Sequence, residues 1–261
     1  MPQKDFLFLQ LRDLPYFRAF LRAVESRFYQ DIDLPSPTLD VGCGDGHFAS
    51  LTFDQKIDVG LDPWHGPIHK AKNFGAYKSL IEADGAQTPF PNNYFASGFS
   101  NSVLEHIPHI DAVLAETARV LRPDAVFAFC VPNDKFNPNL SIARTFDKVG
   151  LMPLAEAYRK FFTKITRHVH LDGSEIWEKR LDNAGFIVEK YWHYFPPQSL
   201  AILEWGHYFG LPSLITRKLF GRWILVSADW NLDWLVQILR PHAESVPCAD
   251  GVCTFYVARR K

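Results

Sequence analysis

The apolar positions of this chain change their period several times along its length, and each change marks an element. Phe17, Phe20, Leu21, Val24 and Phe28 recur at helical spacing between Pro15 and Tyr29. A proline that opens such a run suits a first helical turn. The segment Asp33-Leu34-Pro35-Ser36-Pro37 then breaks the helix, because proline cannot continue one. From there short apolar runs alternate with helical stretches. Strands are predicted at 38–41, 58–61, 79–83, 95–100 and 126–131, and helices at 46–52, 67–74 and 110–121. That alternation specifies an α/β fold, a mostly parallel sheet with helices on both faces.

Past residue 131 the pattern loosens. Pro132-Asn133-Asp134 and Asn137-Pro138-Asn139 are turn chemistry. Helices are predicted at 154–165 and 173–184, with Gly185 as a C-terminal stop, and strands at 186–195 and 252–258. Between those strands lies an insertion holding Trp205, Tyr208, Phe209, Phe220, Trp223, Trp230 and Trp234. The expected organisation is an N-terminal helical extension (1–34), a core (35–132), a first cap insertion (133–172), a core helix and strand (173–195), an aromatic-rich second cap insertion (196–250) and a final core strand (251–261). Both insertions are expected to cap the carboxyl edge of the sheet, where open α/β sheets bind ligands.

Composition adds bounds. The 261 residues are 47% hydrophobic and 22% charged, ordinary for a soluble globular protein. A net charge of −1 creates no field that would draw nucleic acid or anionic lipid, which disfavours nucleic acid as substrate. Cys43, Cys130, Cys248 and Cys253 show no paired C-x-x-C spacing. A reducing, cytoplasmic setting is therefore expected rather than a disulfide framework. No secretory signal is read at the N-terminus, and no apolar run reaches the roughly 20 residues that a spanning helix needs.

The densest information lies in Leu39-Asp40-Val41-Gly42-Cys43-Gly44-Asp45-Gly46-His47-Phe48. It reads as a buried strand, a glycine-rich turn and the start of a helix. Glycines permit tight-turn dihedrals and close approach of a ligand to the main chain. The turn is expected to leave main-chain N–H groups free at the helix N-terminus, where they would cradle a carboxylate or phosphate. Asp62, at the end of the next apolar run, suits a ribose diol. A dinucleotide fingerprint would place its third glycine at position 47, which here is His47. The spacing points instead to one ribose with a small charged tail, as in S-adenosylmethionine. An NAD-dependent oxidoreductase is the first rival reading, and a non-catalytic cofactor-binding module the second.

Further motifs follow in order: Gly60-Leu61-Asp62-Pro63, Ala83-Asp84-Gly85, Thr88-Pro89-Phe90-Pro91, Ser100-Asn101-Ser102-Val103-Leu104-Glu105-His106-Ile107 and Val120-Leu121-Arg122-Pro123. With the glycine turn, they make residues 36–132 resemble the class I S-adenosylmethionine-dependent methyltransferases, in particular the small-molecule type 11 domain. One departure is Phe95-Ala96, where the family usually carries an Asp after the Phe. The resemblance implies a Rossmann-like seven-stranded, mostly parallel sheet with an antiparallel last strand. It also implies S-adenosylmethionine as cofactor and methyl transfer to a small or medium-sized acceptor, oxygen first and nitrogen or carbon next.

By that resemblance Gly42, Cys43, Gly44 and Gly46 would approach the cofactor's methionine tail, and Asp40 would help hold its amino group. Asp62 would accept both ribose hydroxyls, with Pro63 or Trp64 over the adenine. Asp84 and Gly85 would meet the adenine edge, and Asn101, Ser102 and Val103 would line the methyl-transfer site. His106 is a candidate base, since an unperturbed imidazole titrates near neutrality. Arg167-His168-Val169-His170 would place both imidazoles on one side if extended, with His170 a candidate for substrate contact. No third ligand stands near that pair in the sequence, so no metal is expected. The aromatic insertion is read first as a small helical cap with its own core, next as a pocket for a lipid-like acceptor. Peripheral membrane contact through Arg217, Lys218 and Arg222 beside Trp223 is the weakest reading, because Glu204, Asp229, Asp233 and Glu244 offset that charge.

Overall fold

A computed structural model describes residues 4–243 and 246–261; Glu244 lies outside the described residues. Seven strands form one sheet: β1 (Thr38–Val41), β2 (Ile57–Asp62), β3 (Tyr77–Glu82), β4 (Phe95–Asn101), β5 (Leu121–Pro132), β6 (Phe186–Tyr194) and β7 (Cys253–Arg260). Their order is β3-β2-β1-β4-β5-β7-β6. β1 to β5 run parallel, and β7 lies antiparallel between β5 and β6. The order reverses between β1 and β4, so the crevice at their carboxyl ends is the switch point where such sheets bind ligands.

The helices are α1 (Phe6–Leu11), α2 (Tyr16–Tyr29), α3 (His47–Thr52), α4 (His65–Ala71), α5 (Ile110–Val120), α6 (Ser141–Lys148), α7 (Met152–Thr166), α8 (Ser174–Ala184), α9 (Pro197–Phe209), α10 (Leu211–Phe220) and α11 (Asp229–Leu239). On one face of the sheet Leu39, Val59, Phe127 and Phe129 pack against residues of α5 and α8, among them Val113, Leu114 and the fully buried Trp177. The other face buries Phe99, Ala128, Cys130 and Phe255 against Phe20, Val24 and Phe28 of α2 and residues of both insertions. Gly185 takes a left-handed φ of 94° and stops α8, as expected of a glycine there.

Three departures from the sequence reading have physical reasons. α5 ends at Val120, because Leu121 already pairs with Phe95 and opens β5 five residues before the predicted strand. α1 and α6 are one and two turns long, too short for apolar periodicity to register. The aromatic insertion resolves into α9, α10 and α11, whose large side chains stay largely outside: Phe209 is 69%, Trp230 76% and Trp234 58% exposed. Only part of the insertion packs inward. Leu203 and Leu239 join the core, and Trp223 lies partly buried beneath the Arg217 guanidinium at 4.3 Å. Glu204, fully buried on α9, accepts the Ser141 and Ile142 amides at 2.5 and 3.2 Å. A carboxylate at a helix N-terminus is stabilising, and this one ties the second insertion to the first. No helix among the described residues is long and apolar enough to cross a membrane.

Candidate active site

The site begins at the turn between β1 and α3. Gly42, Gly44 and Gly46 all take positive φ, at 83°, 55° and 76°. Their surroundings differ. A Cβ on Gly42 would fall 2.3 Å from Cγ1 of Val103, so the turn can pass there only without a side chain. A Cβ on Gly46 would meet Ala71 at 3.1 Å and Tyr77 at 3.2 Å, so a glycine here lets α4 and β3 pack close to the turn. A Cβ on Gly44 would meet nothing, so this glycine faces open space.

The expected cradle of free amides is corrected by the hydrogen bonds. The Gly42 and Cys43 amides both donate to the Leu61 carbonyl, at 2.8 and 2.9 Å. The Gly44 amide donates to Asp62 Oδ2 at 3.0 Å, the Gly46 amide to the Cys43 carbonyl at 3.1 Å, and the His47 amide to Asp45 Oδ1 at 3.3 Å. These groups fold the turn, leaving little to hold an anion. Cys43 is buried, and its thiol is pushed up by burial and by the nearby Asp40 and Asp62. Asp40 accepts from the Tyr77 hydroxyl at 2.6 Å beneath the turn and does not line the crevice. Burial raises its pKa to about 7 against the opposing hydrogen bond from Tyr77.

A cavity of about 520 Å³ opens beside this turn. Gly42, Asp62, Pro63, Trp64, Asp84, Gly85, Val103 and His106 are among its lining residues. The two oxygens of Asp62 take one amide each, Trp64 at 2.9 Å and Gly44 at 3.0 Å. Each keeps a second lone pair, so the carboxylate is oriented by the main chain and still able to accept two hydroxyl groups. Burial raises its pKa, opposed by those amides. Asp84, exposed at the mouth, accepts the Ala86 amide at 2.9 Å and pairs with His109 at 3.2 Å, and both hold its pKa down.

A second cavity of about 410 Å³ adjoins the first. α2 supplies Phe17, Arg18, Leu21, Arg22 and Glu25; the first insertion supplies Phe136, Ile165 and His168; α9 supplies Leu203 and His207. His106, Thr166 and Arg167 line both cavities. The predicted methyl-transfer residues divide here. Val103 faces the first cavity and Ser102 the second, whereas Asn101 lines neither. Its amide nitrogen donates to Glu25 Oε2 at 2.8 Å, while Oε1 of Glu25 accepts from Ser102 and from the Tyr194 hydroxyl, both at 2.9 Å. Glu25 is thus a buried hub, its pKa raised by burial against these donors.

Arg18 and Arg22, one helical turn apart, form neither an ion pair nor a side-chain hydrogen bond among the described residues, and Nη1 of Arg22 is buried without a partner. The charge of Arg22, with burial, lowers the pKa of Arg18 to about 10, against the pull of Asp45 on the turn. Two crowded guanidiniums with no carboxylate in direct contact are a ready site for an anion.

The two predicted catalytic histidines part company. His106 Nδ1 lies 3.0 Å from the Arg167 carbonyl, which can only accept, so Nε2 carries the lone pair. Burial lowers its pKa. His170 lines neither cavity. Its Nε2 is 3.0 Å from the Ile107 carbonyl and its Nδ1 3.4 Å from Asp172, which makes it a latch for the loop and corrects the expectation of substrate contact. The segment bends rather than extends, so it is His168 that enters the second cavity, with a pKa lowered to about 3 by burial. Glu105 beside it is 2% exposed, its pKa raised to about 8 by burial. The turn after β4 thus brings Glu105 and His106 within 4.8 Å of His168, a grouping the local sequence around the two histidines does not show.

A seven-stranded sheet of this order, with an acid at the end of β2 and two cavities at its switch point, is the fold of solved S-adenosylmethionine-dependent methyltransferases. Residues 39–129 match the family model described as a methyltransferase domain. The chain is 27% identical to a trans-aconitate 2-methyltransferase of Methylobacterium nodulans, over 87% of each chain. It is 36% identical to a sterol 24-C-methyltransferase of Pneumocystis carinii over 98 residues, 34% of this chain and only 26% of that protein. A solved S-adenosylmethionine-dependent methyltransferase of Thermotoga maritima superposes with a TM-score of 0.57 at 12% identity, over 94% of this chain and 91% of that one. Residues 39–129 thus carry a methyltransferase domain, and the chain as a whole has the fold of solved S-adenosylmethionine-dependent methyltransferases.

Proposed function

We propose that this chain transfers a methyl group to an oxygen of a small or medium-sized acceptor that carries an acidic group. The observation behind this reading is the pair of cavities that share His106, Thr166 and Arg167 as a common wall. One suits a nucleoside, and the other is lined by the Arg18 and Arg22 guanidiniums, neither of which is ion-paired among the described residues.

In this reading Asp62 accepts the ribose hydroxyls, and Asp84 with Gly85 meets the adenine edge beneath Pro63 and Trp64. Arg18, within the field of Asp45 on the turn, supplies the positive charge for the cofactor's carboxylate that the turn's engaged amides do not. When bound, S-adenosylmethionine supplies a methyl group on a sulfonium, so that transfer leaves a neutral thioether and one proton to be removed from a hydroxyl acceptor. The chain's own work is alignment, which is worth up to about 7–11 kcal/mol in the best cases. The two insertions wall the acceptor cavity through Phe136, Ile165, Leu203 and His207 and exclude water from it. Arg22, beside Glu25, pairs with the acid group of the acceptor. His106, the one imidazole lining both cavities among the described residues, stands where the acceptor oxygen meets the methyl group. The full-length relative is named for an acid, trans-aconitate, which agrees with this charge. The sterol relative shares only the core domain.

The test is a screen of carboxylic acids with cofactor carrying a labelled methyl group, repeated with Arg22→Gln. An acidic product should form, and the variant should raise the acceptor's KM about tenfold or more with adenosylhomocysteine affinity unchanged. Adenosylhomocysteine binding without turnover on any acid or neutral acceptor would favour the non-catalytic module. Methylation of neutral acceptors only would overturn the acidic assignment.

A further inference from the structure

Glu105, His106 and His168 meet at the wall between the two cavities, and nothing in the reading above explains why they meet as they do. One ligand atom from each lies within 4.8 Å of the others. Glu105 Oε1 and His106 Nε2 are 3.7 Å apart, too far for a hydrogen bond. Oε2 of Glu105 and Nδ1 of His168 are both buried with no partner. Buried polar atoms in folded proteins are nearly always paired, so two orphans in one cluster call for a ligand.

The surroundings hold the cluster in place. The Val169 and His170 amides both donate to the Glu105 carbonyl, at 2.8 and 3.0 Å, which fixes the His168 loop onto the turn after β4. Arg167 takes a left-handed φ of 59° and turns the chain out of α7 just before His168. Its carbonyl accepts from His106 Nδ1 at 3.0 Å and leaves Nε2 as the free lone pair. A carbonyl behind the distal nitrogen is the usual way a protein orients a metal-ligating imidazole. The two rings lie nearly parallel with centroids 5.4 Å apart. A shared cation needs only a modest closing of such a pair, since nitrogen and carboxylate ligands sit about 2.0–2.2 Å from zinc.

We propose that Glu105, His106 and His168 bind a divalent transition-metal cation of the zinc type, with its open position toward the acceptor cavity. Two imidazoles and one carboxylate with a vacant fourth position is the donor set of a catalytic rather than a structural zinc site. The proposal deepens the acceptor-site reading and rests on it for its catalytic meaning: a cation there would act as a Lewis acid on an acceptor oxygen and ease loss of its proton to solvent. Binding of the metal itself is measured without acceptor or cofactor.

EDTA-stripped protein is dialysed against Zn²⁺ and the bound metal counted, with a thermal melt on the same samples and adenosylhomocysteine titrated in parallel. The wild type should take up one equivalent and melt at a higher temperature with zinc. Glu105→Gln and His168→Asn should each weaken uptake by about tenfold or more and abolish the shift, while adenosylhomocysteine still binds. A control lacking the exposed stacked pair His65 and His69 should keep the equivalent. No stoichiometric uptake by the wild type overturns the proposal, whether or not either variant folds. So does uptake retained in a folded variant or lost in the control. Failure of adenosylhomocysteine to bind any of the proteins would instead count against the cofactor site.

Discussion

Gly42→Ala is the substitution whose consequence can be worked furthest from geometry. At φ 83° an added Cβ is strained by about 1–2 kcal/mol from the left-handed backbone alone. The same atom would lie 2.3 Å from Cγ1 and 2.8 Å from Cγ2 of Val103, so one of the two segments must move. Overpacking of that kind costs about 1–3 kcal/mol, for a total of about 2–5. The second part depends on Val103 and the first does not. A four-member cycle with Val103→Ala therefore separates them. In urea denaturation the single Gly42→Ala should lose the full amount, and the double variant should recover part of the packing cost as coupling energy, short of all of it because alanine keeps the Cβ that lies 3.0 Å from the added atom. Because Val103 also lines the larger cavity, Gly42→Ala should weaken adenosylhomocysteine binding measured by calorimetry, and Val103→Ala should restore part of it. Additive effects, with a coupling energy below about 0.5 kcal/mol, would refute the claim that Val103 is the reason for a glycine at that position.

Asp62→Ala should weaken adenosylhomocysteine binding by about 1.5–3 kcal/mol, the scale of hydrogen bonds to a charged group; calorimetric affinity within twofold of wild type removes Asp62 from the ribose site. Asp40 has its carboxyl raised from 3.8 to about 7 in the fold, so it binds its proton more tightly folded than unfolded. Its stabilising contribution is complete below pH 4 and is lost as pH climbs through 7. Asp40→Asn should therefore match wild type near pH 4 and exceed it by up to about 4 kcal/mol above pH 8, and a difference independent of pH in denaturant melts would show that Asp40 ionises freely. His170→Ala should cost about 1 kcal/mol of stability through the lost bond to Ile107 while leaving the pH profile of turnover in place. A shifted profile would return His170 to the chemistry.

Much of the sheet could be read from the chain because its signals are local. The run Leu39 to Val41 and the glycines after it carry their own period and turn chemistry, and the four-residue strand falls where the pattern put it. Asp62 was legible as an acid ending an apolar run. The uses of the turn amides were not, because the Leu61 carbonyl and the Asp62 carboxylate arrive from β2 through parallel pairing. The same limit hid the second cavity. Arg18, Arg22 and Glu25 share one face of α2, and Glu25 stands one residue after Val24 on its buried side. The sequence shows that stripe without showing that it faces the end of β4. His168 and His170 looked equivalent by alternation, and a left-handed residue at Arg167 with two amides on the Glu105 carbonyl made them different.

The account depends most directly on a nucleoside held by Asp62 beside β1 and β2 with its reactive end at His106. A crystal structure of the chain soaked with adenosylhomocysteine measures that placement. The account predicts ribose hydroxyls within hydrogen-bonding distance of the Asp62 carboxylate, adenine near Asp84 and Gly85, and the sulfur at the wall where the two cavities meet. Ligand density elsewhere on the protein, or a crevice filled by the chain's own side chains, would contradict it.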